Sequence, residues 1–162
     1  MALDTIETDL QDTLVELTDL ALQGKQLHWS LVGRGFKSLH EQLDEVVDTA
    51  RAASDDVAER AVTLGNAPDG RALTIAKESP LADVPAGQVK DTDALAHIVA
   101  VLTTVIDRTH ERIGRLDGVD LVTQPAHRHR GRTGEAAVDA ARTAGLTSRL
   151  RDAGLRATGP RV

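Results

Sequence analysis

Residues 28–65 read HWSLVGRGFKSLHEQLDEVVDTARAASDDVAERAVTLG. From Phe36 the apolar residues Leu39, Leu43, Val46, Val47, Ala50, Val57, Ala61 and Leu64 recur at spacings of three and four, the period of an amphipathic helix. Gly35 lies just before this run and Gly65 just after it, where helices begin and stop, so one long helix is expected over residues 36–64. The same stretch carries Trp29, the chain's only tryptophan, and five residues of metal-ligand type: His28, His40, Asp44, Asp55 and Glu59.

On that helix His40 and Asp44 stand four apart, as do Asp55 and Glu59, so each pair shares a local face. At about 100° per residue the four side chains fall within an arc of roughly 100°. His40 and Asp55 nevertheless lie about 22 Å apart along the axis at 1.5 Å of rise per residue, whereas metal–ligand bonds are about 2.0–2.2 Å long. One ion cannot be held by both pairs of a single helix. Either the chain has two sites, or two chains lie antiparallel, with His40 and Asp44 of one facing Asp55 and Glu59 of the other.

Working outward, Ile6, Leu10, Leu14, Leu17 and Ala21 step by three and four and predict a first amphipathic helix over about residues 4–30. Gly24 inside it costs about 1 kcal/mol against alanine, tolerable in a long packed helix. The turn Gly33-Arg34-Gly35 is short enough to make these two helices an antiparallel hairpin. Residues 66–90, with Pro68, Pro80 and Pro85, are too long for a hairpin connection and read as a crossover, with a short helix over 71–78. Asp91-Thr92 offers an N-cap. Leu95, Ile98, Val99, Leu102, Val105, Ile106, Ile113 and Leu116 then predict a third long helix over 92–117, ended by Gly118.

Composition narrows the functional classes. At 162 residues the chain makes one domain with a sizeable core. Without cysteine it has neither disulfides nor thiolate–metal sites, which fits a cytoplasmic location. The opening MALDTIETDLQD is acidic and lacks a basic n-region, so no secretory signal is expected. The formal charge is −6, but residues 125–162 hold eight arginines against Glu135, Asp139 and Asp152, a net of +5, leaving −11 on residues 1–124. An acidic body suits cations and repels nucleic acid, while a basic tail does the opposite.

Acidic residues on long helices are ordinarily a solvated face. Here the combination points further, because His28 precedes the turn and can approach His40 across it. Two imidazoles and three carboxylates without a thiolate suit iron, with zinc the competitor. No Glu-x-x-His occurs, Asp107–His110 being the nearest, so a di-metal centre inside one bundle is not expected. His97 and His110 read as surface or interface residues rather than ligands, and a zinc hydrolase using the same groups lacks any substrate-pocket signal.

Lys25, Gln26, His28, Trp29, Gly33, Phe36, Leu39, His40 and Asp44, then Asp55, Ala58, Glu59, Arg60, Leu64 and Gly65, reproduce a motif at every spacing. In these positions the chain resembles the Dps family of mini-ferritins, over about residues 10–124. The resemblance implies an all-α, ferritin-like four-helix bundle assembling as a hollow shell of twelve subunits. It implies ferroxidase sites at two-fold interfaces, with His28, His40 and Asp44 from one chain and Asp55 and Glu59 from its neighbour. It further implies oxidation of ferrous iron by hydrogen peroxide or oxygen, storage of ferric mineral and protection of DNA. Carboxylates favour Fe(III) over Fe(II), and two irons held close let peroxide take two electrons without releasing hydroxyl radical. Trp29 would quench stray radicals or pack an interface, and Asp117 and Asp120 would line iron-entry pores at three-fold axes.

The likeness breaks after Gln124, dividing the chain into a ferritin-like part, 1–124, and an atypical arginine-rich segment, 125–162. A fourth amphipathic helix should start there, yet residues 134–144 offer a face that is mostly alanine. We read residues 125 onward as a frameshifted version of that helix. The last two bases of each codon and the first of the next, from Pro125 to Thr143, permit LLIDIVGELEKQLWMLRA, which has helical apolar periodicity; Leu146-Thr147 then permits a stop codon. The alternative is a genuine extension whose arginines bind DNA phosphates without sequence specificity, making the protein a nucleoid-associated DNA binder. Residues 1–12 contain no Lys or Arg, so DNA binding would rest on this tail. Without a proper fourth helix the fold forgoes several Leu-sized side chains at about 1.5–3 kcal/mol each. That is comparable with the stability of a domain, so the chain as written is expected to assemble poorly.

Overall fold

A computed structural model describes residues 2–116, and within them the chain is helical apart from turns and one very short strand pair. The elements are α1 (Ala2–Ser30), β1 (Leu31–Val32), α2 (Phe36–Thr63), α3 (Ala72–Glu78), β2 (Val89–Lys90) and α4 (Asp91–Leu116). The expected fourth bundle helix, Asp117, Asp120 and the segment 125–162 lie outside the described residues.

The periodic residues of α1 and α2 become the core. Leu14, Leu17, Leu20, Ala21 and Leu27 of α1 pack with Leu39, Leu43, Val46, Val47, Ala50 and Val57 of α2, all buried. Gly24 meets Val47, Lys25 meets Asp44 and His28 meets His40, contacts whose residue numbers rise on one helix as they fall on the other. The pair is therefore an antiparallel hairpin. Gly24 has a packing reason beyond tolerance: a Cβ there would stand 2.9 Å from Cγ2 of the buried Val47. The missing side chain lets the two helices close up.

Past Gly65, in the left-handed region at φ 89°, the chain runs back alongside α1 to the hairpin turn. Three fastenings mark the route. Gln11 and the backbone of Asp69 exchange two hydrogen bonds of 2.9 Å, Ser79 donates to the Asp19 carboxylate, and Leu31 pairs with Val89 in a parallel two-residue ladder. Asp69 also sets the entry to α3, its carboxylate accepting from the Arg71 backbone (3.1 Å), the Arg71 guanidinium (2.6 Å) and the Thr74 hydroxyl (2.9 Å). These contacts hold the Asp69 carboxyl well below the usual carboxylate range, the Arg71 side chain contributing most.

Helix α4 starts at the hairpin turn. Asp91 does more than cap it: its carboxylate accepts the Thr92 N–H at 2.9 Å and also reaches the Gly35 N–H at 2.6 Å, tying the start of α4 to the entry of α2. Gly33, at φ 134°, lies so close to this carboxylate that a Cβ would stand 2.4 Å from Asp91 Cγ. The buried stripe of α4 is Ala94, Ile98, Val101, Val105, Thr109 and Arg112. Five of the residues expected to form its core face, Leu95, Val99, Leu102, Ile106 and Ile113, instead form a second, half-buried apolar stripe one residue further on.

Arg112 is 4 % exposed and faces Glu16 on α1, itself 1 % exposed. Arg112 Nη2 and Nη1 donate to Glu16 Oε1 (2.5 Å) and Oε2 (2.8 Å), and Nη1 to Thr13 Oγ1 (3.2 Å); Arg108 Nε adds a bond of 2.6 Å to the same carboxylate. Nearer the helix ends Arg115 donates to Asp9 at 2.6 Å. The α1–α4 contact, antiparallel like α1–α2, is thus partly an ionic seam.

Candidate metal centre

The last turn of α1 carries His28 and the first turns of α2 carry His40 and Asp44, so the short turn at 33–35 brings the three together. One ligand atom from each lies within 4.8 Å of the others, and they are the only such group of three among the described residues. The imidazoles stack with centroids 3.5 Å apart and planes 24° from parallel, and Phe36 closes on His40 with centroids 4.8 Å apart.

Each ring is oriented by the other's backbone. His28 Nδ1 donates to the His40 carbonyl and His40 Nδ1 to the His28 carbonyl, both at 3.2 Å. A carbonyl oxygen only accepts, so Nδ1 is the donor in each ring, and in the neutral imidazole that leaves the Nε2 lone pair for a ligand. His28 is buried, while His40 and Asp44 are half-exposed on the edge of the chain.

Asp44 Oδ1 is 3.2 Å from His28 Nδ1 and also binds the Lys25 ammonium. The hydrogen bond from Lys25 is the main reason the Asp44 carboxyl sits below the usual carboxylate range; desolvation opposes it, and the fields of His28, Lys25 and His40 add to it. The group therefore stays an anionic oxygen donor at neutral pH. Lys25 was legible only as part of a motif, and nothing in its spacing indicated that its ammonium would occupy the carboxylate.

Asp55 and Glu59 are not in this cluster. They lie exposed on the later part of α2, more than two turns beyond Asp44. Trp29, adjacent to His28, is 71 % exposed. Of the two α4 histidines, His97 Nε2 donates to Gln23 Oε1 at 2.8 Å and serves the α1–α4 contact, while His110 is exposed. The sequence did hold a signal for the ionic seam: Glu16 interrupts the apolar run between Leu14 and Leu17, and Arg108 and Arg112 stand four apart on one helix face.

Two imidazoles and one carboxylate gathered at an exposed edge are a donor set that could hold a metal ion. Long helices in a hairpin, a long outside crossover and a metal-type cluster at the hairpin end describe a ferritin-like protein, and the ferritin-like domain family model matches residues 7–126. The chain is 40 % identical over 114 residues to DNA protection during starvation protein 2 of Deinococcus radiodurans, a match covering 70 % of this chain and 47 % of that protein. It superposes on a crystal structure of a Dps from the same organism with a TM-score of 0.80 at 31 % identity, covering 97 % of this chain and 89 % of the other. The structure of Dps from Microbacterium arborescens in a high iron form follows, with a TM-score of 0.77, 28 % identity and 95 % of each chain covered. The chain belongs to the Dps family. It spans about half the length of the curated relative it matches.

Proposed function

We propose that the protein is an iron-storage ferroxidase that oxidises Fe(II) at sites shared between two copies of the chain and stores the ferric product inside a shell of twelve subunits. The observation that carries this is the His28–His40–Asp44 cluster: it is preorganised, thiolate-free and open, and its own helix keeps Asp55 and Glu59 out of reach. A second chain lying antiparallel along α2 supplies Asp55 and Glu59 of the partner subunit, and the site is completed twice by one two-fold axis. The high iron form of the Microbacterium arborescens relative supports the choice of iron.

In this reading the Nε2 lone pairs of His28 and His40 and the Asp44 carboxylate take up ferrous iron, and Lys25 leaves Asp44 as the cation arrives. The carboxylates of both chains stabilise the higher charge of the ferric product. Each of two Fe(II) ions gives one electron to hydrogen peroxide, the O–O bond breaks, and two protons from solvent complete two waters. Removing Fe(II) and peroxide together suppresses hydroxyl radical, which fits a role in protecting DNA in the cytoplasm and the name carried by the Deinococcus relative. The exposed Trp29 stands beside the site, where it meets either stray oxidant or the partner chain. Among the described residues no helix is long and apolar enough to cross a membrane.

The test is stopped-flow oxidation of Fe(II) by peroxide and by oxygen, on the assembled fraction from size exclusion. The intact chain should consume about two Fe(II) per peroxide, and His28→Ala and Asp55→Ala should each remove the fast phase by one hundredfold or so. Full activity in both variants would refute the assignment.

A further inference from the structure

The cluster draws its donors from two helix ends: His28 from the last turn of α1, His40 and Asp44 from the first turns of α2. Their relative placement therefore depends on residues 31–35, which join the two helices. A functional constellation has to be held to about 0.5 Å. A short turn with two glycines is conformationally permissive and does not do that alone.

The connection is gripped from outside. Leu31 and Val32 pair with Val89 and Lys90 in the parallel ladder. The next residue of the gripping segment, Asp91, sends its carboxylate to the Gly35 N–H at 2.6 Å. Both glycines are shaped to that carboxylate. Gly35 has φ −82°, a value open to any residue, yet a Cβ there would stand 2.9 Å from Asp91 Oδ2. A Cβ on Gly33 would overlap the same group. Gly35 is the N-cap of α2 and has no side chain to cap it. Asp91 stands in from another helix, while its other oxygen accepts the Thr92 N–H at the start of α4 (2.9 Å). One anion thus serves two helix N-termini, where negative charge is favourable.

We propose that Asp91 is a positioning residue of the metal centre, acting through the turn rather than on the ion. By clamping Gly33 and Gly35 it fixes where α2 enters beside α1. That sets the distance across which His28 and His40 exchange their Nδ1–carbonyl hydrogen bonds. Both bonds are 3.2 Å, the long end of the range for an N–H donor, so a small slide of α2 breaks them. The rings are then free to turn, and the three donors no longer meet. This inference rests on the reading of His28, His40 and Asp44 as metal ligands.

The test uses the full chain and needs no iron. Co(II) binding, followed by visible absorption without oxidant, is compared among the intact chain, Asp91→Ala, Asp91→Asn and Asp93→Ala. Asp91→Ala should weaken binding about tenfold or more. Asp91→Asn, which keeps one acceptor oxygen and the side-chain shape, should fall between. Asp93→Ala, exposed in the same turn of α4, should bind as the intact chain does. A second measurement separates placement from general loosening: the rate at which diethyl pyrocarbonate modifies each histidine, read by mass spectrometry. In Asp91→Ala, His28 and His40 should react severalfold faster, while His97, held by Gln23 at the α1–α4 contact, should be unchanged. Unchanged Co(II) affinity, or unchanged rates at His28 and His40, would overturn the proposal. So would equal acceleration at His97. Neither measurement involves iron oxidation, so a chain that meets both expectations but leaves Fe(II) unoxidised refutes the ferroxidase reading and not the role of Asp91.

Discussion

At the scale of single residues, Gly24 shows how a position can oppose its own helix and still be required. Helix propensity alone makes alanine better than glycine by about 1 kcal/mol. The added Cβ, however, would stand 2.9 Å from a methyl of Val47, which is 1 % exposed and has no room to retreat. Overpacking costs about 1–3 kcal/mol, so Gly24→Ala should lower stability by about 1 kcal/mol in urea denaturation. In a Val47→Ala background the same substitution should raise it, and equal effects in the two backgrounds would show that the glycine is not there for packing. Asp44 gives a second case. Its folded-state pKa is lowered, chiefly by Lys25. The associated stabilisation is therefore complete above the ordinary value of 3.8 and is lost as pH falls through the folded value. Lys25→Ala should move the Asp44 titration, followed by carboxyl-carbon NMR, back up; an unmoved midpoint would mean that the two do not pair in solution.

At the scale of elements, the α1–α4 contact rests on charge where α1–α2 rests on aliphatic packing. Glu16, Arg108 and Arg112 form a seam in which the carboxylate and one guanidinium are almost fully buried. Breaking such a pair strands a buried charge, at about 3–5 kcal/mol, whereas replacing both partners by apolar residues of similar volume is often close to neutral. Glu16→Ala should therefore lower the melting temperature sharply, and Glu16→Leu with Arg112→Leu should recover most of the loss. A double variant as unstable as the single one would mean that the ions themselves are needed. The crossover depends likewise on Asp69, which gathers Arg71, Thr74 and Gln11. The bonds from Arg71 and Thr74 hold its carboxyl below the usual carboxylate range, so they persist below the ordinary value and are released only in stronger acid. Gln11 bonds the Asp69 backbone and is independent of that ionisation. Asp69→Ala should speed amide hydrogen exchange over residues 72–78 at neutral pH, with α1 and α2 little changed; slow exchange there would relieve Asp69 of the role.

At the scale of the whole molecule, a site divided between chains makes a prediction that a site within one chain does not. His28→Ala and Asp55→Ala should each be inactive alone. When the two are unfolded together and reassembled, half of the two-fold pairs are mixed, and each mixed pair has one intact site of two. On the proposed shared site about a quarter of the original ferroxidase rate should return, because a two-fold axis would build each site from opposite ends of two copies of α2. No recovery in assembled mixed protein would mean that His28 and Asp55 do not build one site across two chains.

Much of this was legible in the sequence because helical periodicity is local. The apolar spacing from Phe36 to Leu64, the glycines around it, the long crossover and the short helix within it all follow from preferences of near neighbours along the chain. So does the meeting of His28 and His40, since a turn of three residues leaves two helices no choice but to lie side by side. The axial gap between His40 and Asp55 was equally plain, as rise per residue is a constant of the helix. What only the tertiary structure decided involves residues distant in sequence. The spacing of α4 admitted either of two stripes, and contact with α1 selected Ala94, Ile98, Val101 and Val105 for burial. Asp91 reached Gly35, and Lys25 found Asp44, because those groups were delivered to one place by elements whose own patterns carry no record of each other. The same holds at the opening stretch: its residues offer the candidate donors, while the orientation of the two imidazoles, each held through Nδ1 by the other's carbonyl, exists only once the hairpin has closed.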